Sequence, residues 1–277
     1  MAQRLYSLAY LTTAPMAPPE ALGLASKLGY QAIGVRLAPG SPGGDFSPLI
    51  EDAAMLRETI ARMADTGTSI FDVEIARLKT DFRVEQFLAF LETAGKLGAR
   101  AILVAGDDPD PARLTQSYAR FCEAAATFGL TADLEFMPWT AVPDARTALR
   151  IVTGADRPNG RILVDALHAA RSKTTLADLA AIPRSRLSYA QLCDAPAEIP
   201  DTVDGLIHTA RSARLLPGEG GIDLAGIMRQ LPEDLPLSLE IPNAELLPKL
   251  GAEQWSRDAL TAAKRVVANA GSPMRAS

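Results

Sequence analysis

The chain has few cysteines and no long apolar runs, and each scarcity excludes a class of protein. Cysteine occurs only at Cys122 and Cys193, a spacing that matches no metal motif. Both lie in apolar surroundings, FCEAAA and QLCDA, which predicts reduced core thiols in a cytoplasmic protein. No apolar stretch is long enough to span a bilayer, and the amino-terminal segment lacks the apolar core of a secretory signal. We therefore expect no membrane association and no disulfide framework.

Positive charge is also sparse. The chain carries 28 Lys and Arg against 33 Asp and Glu, for a net charge of −5, and its arginines are scattered. Because nucleic-acid binding depends on neutralising phosphates with clustered Lys and Arg, we expect no nucleic-acid partner. A small-molecule ligand is the remaining expectation, and a homo-oligomer is compatible with this composition.

What the sequence does contain is a regular alternation of short apolar runs and helical patterns over 277 residues. The runs are rich in Val, Ile, Leu and Ala, as parallel strands buried on both faces are. Glycines end three helical patterns, in KLGYQ, KLGAR and TFGLT, as helix C-caps do. Eight strands alternating with eight helices predict an α/β fold, a single (β/α)8 TIM barrel spanning 1–277 with a frayed tail at about 271–277.

Four polar residues end the apolar runs of predicted strands five to eight. They are Glu135 in TADLEFMPW, Asp165 in RILVDALH, Gln191 in LSYAQLCDA and Glu240 in LPLSLEIPN. The carboxyl ends of barrel strands open onto one face, and a buried carboxylate is costly unless it is paired or binds a metal. Four converging oxygen groups predict a site for one hard divalent ion. The alternative is a set of unrelated helix caps and surface ion pairs.

Further candidates surround these four. His168, where strand six gives way to a loop, is positioned to contact substrate or shuttle a proton, unless it only bonds neighbouring backbone. Arg211 and Arg214 precede PGEG and could hold substrate oxygens or a phosphate, or pair with surface acids. Glu74 ends strand three, on the other side of the rim, and is a candidate for substrate hydrogen bonding.

The segments LEFMPW, LVDALHAARS, QLCDA, RLLPGEGGIDL and LEIPN resemble the sugar phosphate isomerase/epimerase family of xylose isomerase-like TIM barrels. The resemblance covers most of the chain. It implies that Glu135, Asp165 and Glu240 are metal ligands, that the two glutamates are the acid/base pair, and that His168 is the substrate-side histidine. Gln191 stands where most members carry His, and no Arg follows it closely. A Gln at this position is similar to some bacterial 3-dehydroshikimate dehydratases of the superfamily.

The implied activity is that of a divalent-metal-dependent isomerase or epimerase acting on a small polyhydroxy carbonyl compound, a keto sugar or sugar phosphate. It would remove a proton next to the carbonyl and pass through an enediolate that the metal stabilises. The alternative on the same fold is a metal-dependent dehydratase of the 3-dehydroshikimate or inosose type. Four oxygen ligands favour Mn²⁺, Mg²⁺ or Co²⁺ over Zn²⁺. The superfamily's endonucleases need many zinc-binding histidines, which two histidines cannot supply. A barrel that binds a sugar-like ligand without turnover is the non-enzymatic alternative.

Overall fold

The computed structural model describes residues 4–40 and 43–270, which form a closed barrel of eight parallel strands in sequence order. The strands are β1 (Tyr6–Leu8), β2 (Ala32–Arg36), β3 (Ser69–Leu78), β4 (Ala101–Gly106), β5 (Thr131–Glu135), β6 (Gly160–Asp165), β7 (Ala190–Leu192) and β8 (Leu237–Leu239). β8 pairs with β1 and closes the barrel. The predicted fold class is therefore confirmed; the predicted tail at 271–277 lies outside the described residues.

Twelve α-helices occur in the described ranges, four more than the alternation predicts. They are α1 (Tyr10–Thr13), α2 (Pro18–Leu28), α3 (Ala53–Thr66), α4 (Leu88–Lys96), α5 (Pro111–Ala126), α6 (Ala145–Ala155), α7 (Ala166–Arg171), α8 (Leu176–Ala180), α9 (Val203–Ser212), α10 (Leu224–Gln230), α11 (Leu246–Leu250) and α12 (Ala252–Ala270). Short 3-10 turns cover Val84–Phe87 and Arg184–Arg186. Among the described residues, no helix is both long enough and apolar enough to cross a bilayer.

The three predicted glycine caps are confirmed. Gly29, Gly98 and Gly129 have φ of 87°, 63° and 74°, a left-handed conformation that other residues rarely adopt. At the start of α5, Asp110 accepts hydrogen bonds from the backbone amides of Ala112 and Arg113, as an N-cap does. The glycine caps mark where a helix ends and the next strand begins. The N-cap marks where the next helix begins, after the carboxyl end of the strand.

Three sequence-based expectations are wrong in detail. The sequence predicts the second helix over residues 48–65, but the helix begins at Ala53, because the Asp52 side chain caps it there. The sequence also predicts an apolar stripe on this helix, but the stripe is partly solvent-facing, since Ile60, one of its members, is 40% exposed. The segment after β6, expected to be a loop, folds as α7, and the long segment after β7, where the sequence predicts no helix, contains α9; both helices carry candidate site residues.

Alternation along the strands divides the core into two clusters. The larger cluster lies between the barrel and its helices. A smaller cluster fills part of the barrel interior with residues that include Phe71, Leu103, Leu163 and Tyr189. Cys122 and Cys193 are buried and free, as expected. The interior above this cluster, at the carboxyl ends of the strands, is lined by charged and amide side chains, and these form the candidate site.

Candidate active site

The four residues predicted as metal ligands all lie buried at the carboxyl end of the barrel. Glu135 and Asp165 are the last residues of β5 and β6, Gln191 is the middle residue of β7, and Glu240 directly follows β8. Asp165 pairs in register with Gln191. None of the four side chains is more than 4% exposed. The strand-end reasoning therefore places these side chains in the correct part of the barrel.

Arg214 lies between two of these carboxylates. Its Nη1 donates to Asp165 Oδ2 at 2.5 Å, and its Nη2 lies 2.8 Å from Glu240 Oε2. The Arg214 side chain is only 2% exposed, so this is a buried ion-pair triad. The other oxygens of the two acids are also engaged. Asp165 Oδ1 accepts from the His168 amide at 3.0 Å, and Glu240 Oε1 accepts from Gln191 Nε2 at 3.0 Å.

Backbone bonds hold Arg214 in this position from both sides. It follows α9, and its amide donates to the carbonyl of Pro242 at 3.1 Å, while Asn243 Nδ2 donates to its carbonyl at 2.9 Å. Its Nε donates to the carbonyl of Ala210 at 2.8 Å. The segments that follow β7 and β8 are thus joined at Arg214, which directs its guanidinium into the barrel.

The Asp194 carboxylate anchors the PGEG turn beside Arg214. Asp194 is buried, and its side chain accepts from the backbone amides of Ala195, Gly218 and Ile222. Its own backbone exchanges hydrogen bonds with Leu215. Asp194 therefore holds both the PGEG turn and Leu215, the residue that directly follows Arg214.

Glu135 and His168 form the part of the site with free polar atoms. His168 Nε2 lies 3.8 Å from Glu135 Oε1, and both side chains are at most 4% exposed. Glu135 Oε1, His168 Nδ1 and Gln191 Oε1 are buried without a hydrogen-bond partner among the described residues. The ring of Trp139 meets that of His168 edge to face, with 5.1 Å between centroids. These atoms, unlike those of Asp165 and Glu240, are free to engage a ligand.

Burial and mutual repulsion shift the pKa values of these acids apart. Burial, followed by the neighbouring Glu240 and Asp165 carboxylates, raises the pKa of Glu135 well above its usual range. Burial also raises the pKa of Glu240 to about 7, against the lowering effect of Arg214. Burial would raise the pKa of Asp165 too, but Arg214 and His168 bring it below its ordinary value. Burial lowers the pKa of His168 to about 4, so its imidazole is neutral at neutral pH.

A second polar layer lies directly beneath the site. Each residue of this layer is buried, polar, and two residues before a site residue on the same strand face. The layer consists of Asp72, Asp133, Tyr189 and Ser238, which precede Glu74, Glu135, Gln191 and Glu240 in that order. Each of the four has a buried polar atom without a partner among the described residues. Burial raises the pKa of Asp133 to about 6 and that of Asp72 well above its ordinary value. Below the site, the barrel interior thus contains these buried polar groups beside the smaller apolar cluster.

An inner cavity of about 120 Å³ opens above Glu135 and His168. Glu74 and Glu240 line it, so Glu74 faces the same cavity as the four candidates, and its Oε2 lies 3.3 Å from Arg36 Nη2. Arg211 also lines it, at the mouth. An outer cavity of about 440 Å³ shares Gly40, Arg77, Trp139 and Arg211 with the inner one. The two cavities therefore adjoin and lead from Glu135 and His168 to solvent.

Some site residues were missed by sequence reasoning. Arg36 ends the apolar run AIGVR at the close of β2, so the strand-end signal that found Glu135 could have found it. Trp139, in the quoted segment LEFMPW, and Arg77, near the end of β3, carry no comparable signal. Arg214 was a candidate for substrate binding, but sequence gave no indication that it would contact Asp165 and Glu240.

The residues present fit a divalent cation. Ligand atoms of Glu135, Asp165 and His168 all lie within 4.8 Å of one another, the only such group of His, Cys, Asp or Glu in the described residues. Gln191 Oε1 adds an unpartnered oxygen nearby in the ring of strand ends. Unpartnered buried oxygen and nitrogen atoms of this kind are costly unless a bound group satisfies them. The structure therefore provides a possible metal site, with Glu135, Asp165 and His168 at its centre.

An acid-lined pocket at the carboxyl-terminal mouth of a parallel eight-stranded barrel is the place where enzymes of this fold carry their chemistry. Comparison with known families agrees: a family model described as xylose isomerase-like TIM barrel matches residues 22–266. The chain belongs to this family.

Individual relatives are more distant. A 3-dehydroshikimate dehydratase from Pseudomonas aeruginosa is 30% identical over 138 residues, which is 48% of this chain but only 21% of that protein. A crystal structure of the IOLI protein with a binding zinc atom covers 97% of this chain and 100% of its own, at 19% identity and a TM-score of 0.79. A D-allulose 3-epimerase from Methylomonas sp. covers 95% and 98%, at 15% identity and a TM-score of 0.71. At these identities the solved structures show the shared fold alone.

Proposed function

We propose that this chain is a divalent-metal-dependent dehydratase that removes water from a small hydroxy-carbonyl compound. The observation that carries the proposal is the inequality of the two glutamates. Both oxygens of Glu240 are engaged, by Gln191 Nε2 and Arg214 Nη2, whereas Glu135 Oε1 has no partner among the described residues and faces His168. An epimerase that uses two glutamates on opposite faces of its substrate needs both carboxylates free.

The free carboxylate of Glu135 lies next to the neutral imidazole of His168. This pair suits a reaction in which a proton is removed and returned on one face of the substrate. Glu135 Oε1, which has no partner among the described residues, takes the proton from the carbon next to the carbonyl. The carbon–carbon double bond forms as the β-hydroxyl departs. Glu135 then returns the proton to that hydroxide, so that one water leaves and the carboxylate is regenerated.

His168 orients the substrate during this step. Its imidazole is neutral, because burial lowers its pKa to about 4, and its ring is held against Trp139. It can donate or accept one hydrogen bond at a substrate oxygen without adding charge. Glu74 and Arg36, which line the same cavity, are placed to bind further hydroxyls.

The metal would be held by Glu135 and Asp165, with Gln191 and Glu240 as further ligand candidates, while His168 beside them contacts the substrate. When bound, a divalent ion would polarise the carbonyl and stabilise developing negative charge. Oxygen-rich ligation favours Mn²⁺, Mg²⁺ or Co²⁺ over Zn²⁺. The partial identity to a 3-dehydroshikimate dehydratase supports the dehydratase assignment.

Isomerisation or epimerisation of a keto sugar is the second candidate. It is supported by the similarity in fold to a D-allulose 3-epimerase, and its first half, removal of the proton next to the carbonyl, is the same. The two activities differ in whether the β-hydroxyl leaves.

The test is a substrate panel with the metal-loaded protein in D₂O: keto sugars, inososes and 3-dehydroshikimate, followed by mass spectrometry. Dehydration gives a product lighter by one water, and from 3-dehydroshikimate an absorbing dihydroxybenzoate. Deuterium uptake without loss of water indicates isomerisation and overturns the dehydratase proposal. Glu135→Gln should abolish turnover, while Glu219→Gln, in an exposed turn, should not. Turnover retained in Glu135→Gln would remove Glu135 from the mechanism.

A further inference from the structure

Arg211 stands at the mouth of the cavity without a counter-charge. It lies in the last turn of α9, is exposed, and lines both the inner and the outer cavity. Its side chain makes no hydrogen bond or ion pair within 4–40 and 43–270, and the sequence outside these ranges contains no Asp or Glu. The alternative considered from sequence, that Arg211 pairs with a surface acid, is therefore not what the described residues show.

Two more cations line the outer cavity beside Arg211. Arg77 donates through Nε to the carbonyl of Gly40 at 2.9 Å and through Nη1 to Asp107 Oδ2 at 2.7 Å, which leaves Nη2 without a partner in the described chain. Lys79 is exposed on the same wall. Three cations thus share one carboxylate, that of Asp107, and the outer cavity is formally positive by two charges.

Arg211 has two like charges, Arg77 and Arg36, near it. Partial burial, and then the proximity of Arg77 and Arg36, lowers its pKa. The two acids nearby are already paired, Glu74 with Arg36 and Asp107 with Arg77. Neither acid forms an ion pair with Arg211. An anion bound between Arg211 and Arg77 would relieve this repulsion and use the free guanidinium donors, which suit carboxylate and phosphate groups.

We propose that Arg77, Lys79 and Arg211 form an oxyanion subsite, and that the substrate carries a carboxylate or phosphate which binds there. The inference rests on the proposed function, because it takes the reacting carbonyl to lie beside Glu135. Gly40, Arg77, Trp139 and Arg211 line both cavities, so one small molecule can contact Glu135 at its inner end and the three cations at its outer end. The substrate class is then an anionic hydroxy-carbonyl compound, and neutral keto sugars are excluded.

The test measures binding, independently of turnover, by isothermal titration calorimetry with two pairs of probes. Shikimate and its methyl ester share a ring and differ in the carboxylate charge; D-fructose 6-phosphate and D-fructose differ in the phosphate. Wild type should bind the charged member of at least one pair about tenfold or more tightly, since a hydrogen bond to a charged group has roughly this effect. The pair that shows the difference identifies carboxylate or phosphate.

Variants assign the preference to the subsite. Arg211→Gln should lose most of the discrimination, and Arg211→Lys should retain part of it. Arg120→Gln, an equal charge change on the exposed side of α5 and outside both cavities, should leave it intact. Equal affinity for charged and neutral probes in wild type overturns the subsite, as do undetectable binding of both anions at millimolar concentration and unchanged discrimination in Arg211→Gln. Charge discrimination without any turnover would support the subsite and refute the proposed function. Turnover without charge discrimination would support the proposed function and refute the subsite.

Discussion

Replacing Arg214 tests the arrangement of the site most directly. Among the described residues, Arg214 is the one cation that contacts both Asp165 and Glu240, and all three side chains are at most 5% exposed. Arg214→Met keeps a long apolar stem of similar reach and removes the charge. Two carboxylates then remain buried without their counter-ion, next to the carboxylate of Glu135.

The expected loss of stability is large. Removing one partner of a buried ion pair costs about 3–5 kcal/mol, because the remaining charge cannot be hydrated. For a chain of this size, 1 kcal/mol corresponds to about 2–4 °C in Tm, so the metal-free variant should melt on the order of 10 °C below wild type. Arg214→Lys should fall between the two, since one ammonium cannot reach both acids as a guanidinium does.

The matched control is Arg184→Met. Arg184 pairs with Asp234, but these side chains are 65% and 61% exposed, and an exposed pair contributes little to stability. Urea denaturation and thermal melts of the three variants and wild type, in the presence of EDTA, give the comparison. A loss in Arg214→Met no larger than that in Arg184→Met would refute the reasoning.

The same variant reports on the metal. Without Arg214, the carboxylates of Glu135, Asp165 and Glu240 attract a divalent ion more strongly, so Mn²⁺ should raise the Tm of Arg214→Met by more than it raises that of wild type. An equal shift in the two proteins, or none in either, would mean that the metal does not bind among these acids.

Three further predictions follow from the surrounding residues. His168→Ala should retain metal and lose about 10²–10⁴-fold in rate, measured by metal analysis and turnover on one preparation; full activity with a lowered Tm would make the histidine structural. Gln191→His should raise the relative affinity for Zn²⁺ over Mg²⁺ in competition titrations, and an unmoved preference would remove Gln191 from the ligand set. Because burial raises the pKa of Asp133 from 3.8 to about 6, the unfolded chain loses this proton first, and folding stability should fall by about 3 kcal/mol as pH rises across that interval. Asp133→Asn should make the fall smaller by about that amount in pH-dependent urea melts, since Glu240 and Asp72 contribute falls of their own; an unchanged profile would contradict the assignment.

The barrel and the location of the site could be predicted because both depend on local signals. Buried parallel strands read as short apolar runs, and glycine caps mark where helices end. A polar residue that closes such a run, as Glu135 and Asp165 do, must face the mouth of the barrel. Helix α7 was missed because it starts directly after the strand, with the Asp165 side chain serving as its cap through the His168 amide.

The ion pairs of Arg214 with Asp165 and Glu240 could not be predicted, because they depend on contacts between segments distant in sequence. The position of Arg214 depends on hydrogen bonds between the segments after β7 and β8, including its bonds with Pro242 and Asn243, nearly thirty residues away in sequence. No periodicity or motif spacing encodes which of two nearby arginines turns inward. Arg211, three residues earlier, turns to the mouth instead, and this difference separates the reacting end of the cavity from its outer end.

Charge balance connects these observations. Ionised Glu135, Asp165 and Glu240 carry three negative charges, and Arg214 supplies one positive charge, so the buried group lacks two. Buried charge without compensation is unstable, and the metal-free protein responds by holding protons, which is why the pKa values of Glu135 and Glu240 are raised. A divalent ion bound as proposed would supply the two missing charges and displace those protons. Metal binding and acidification therefore compete for the same carboxylates, and metal affinity should fall as the pH is lowered.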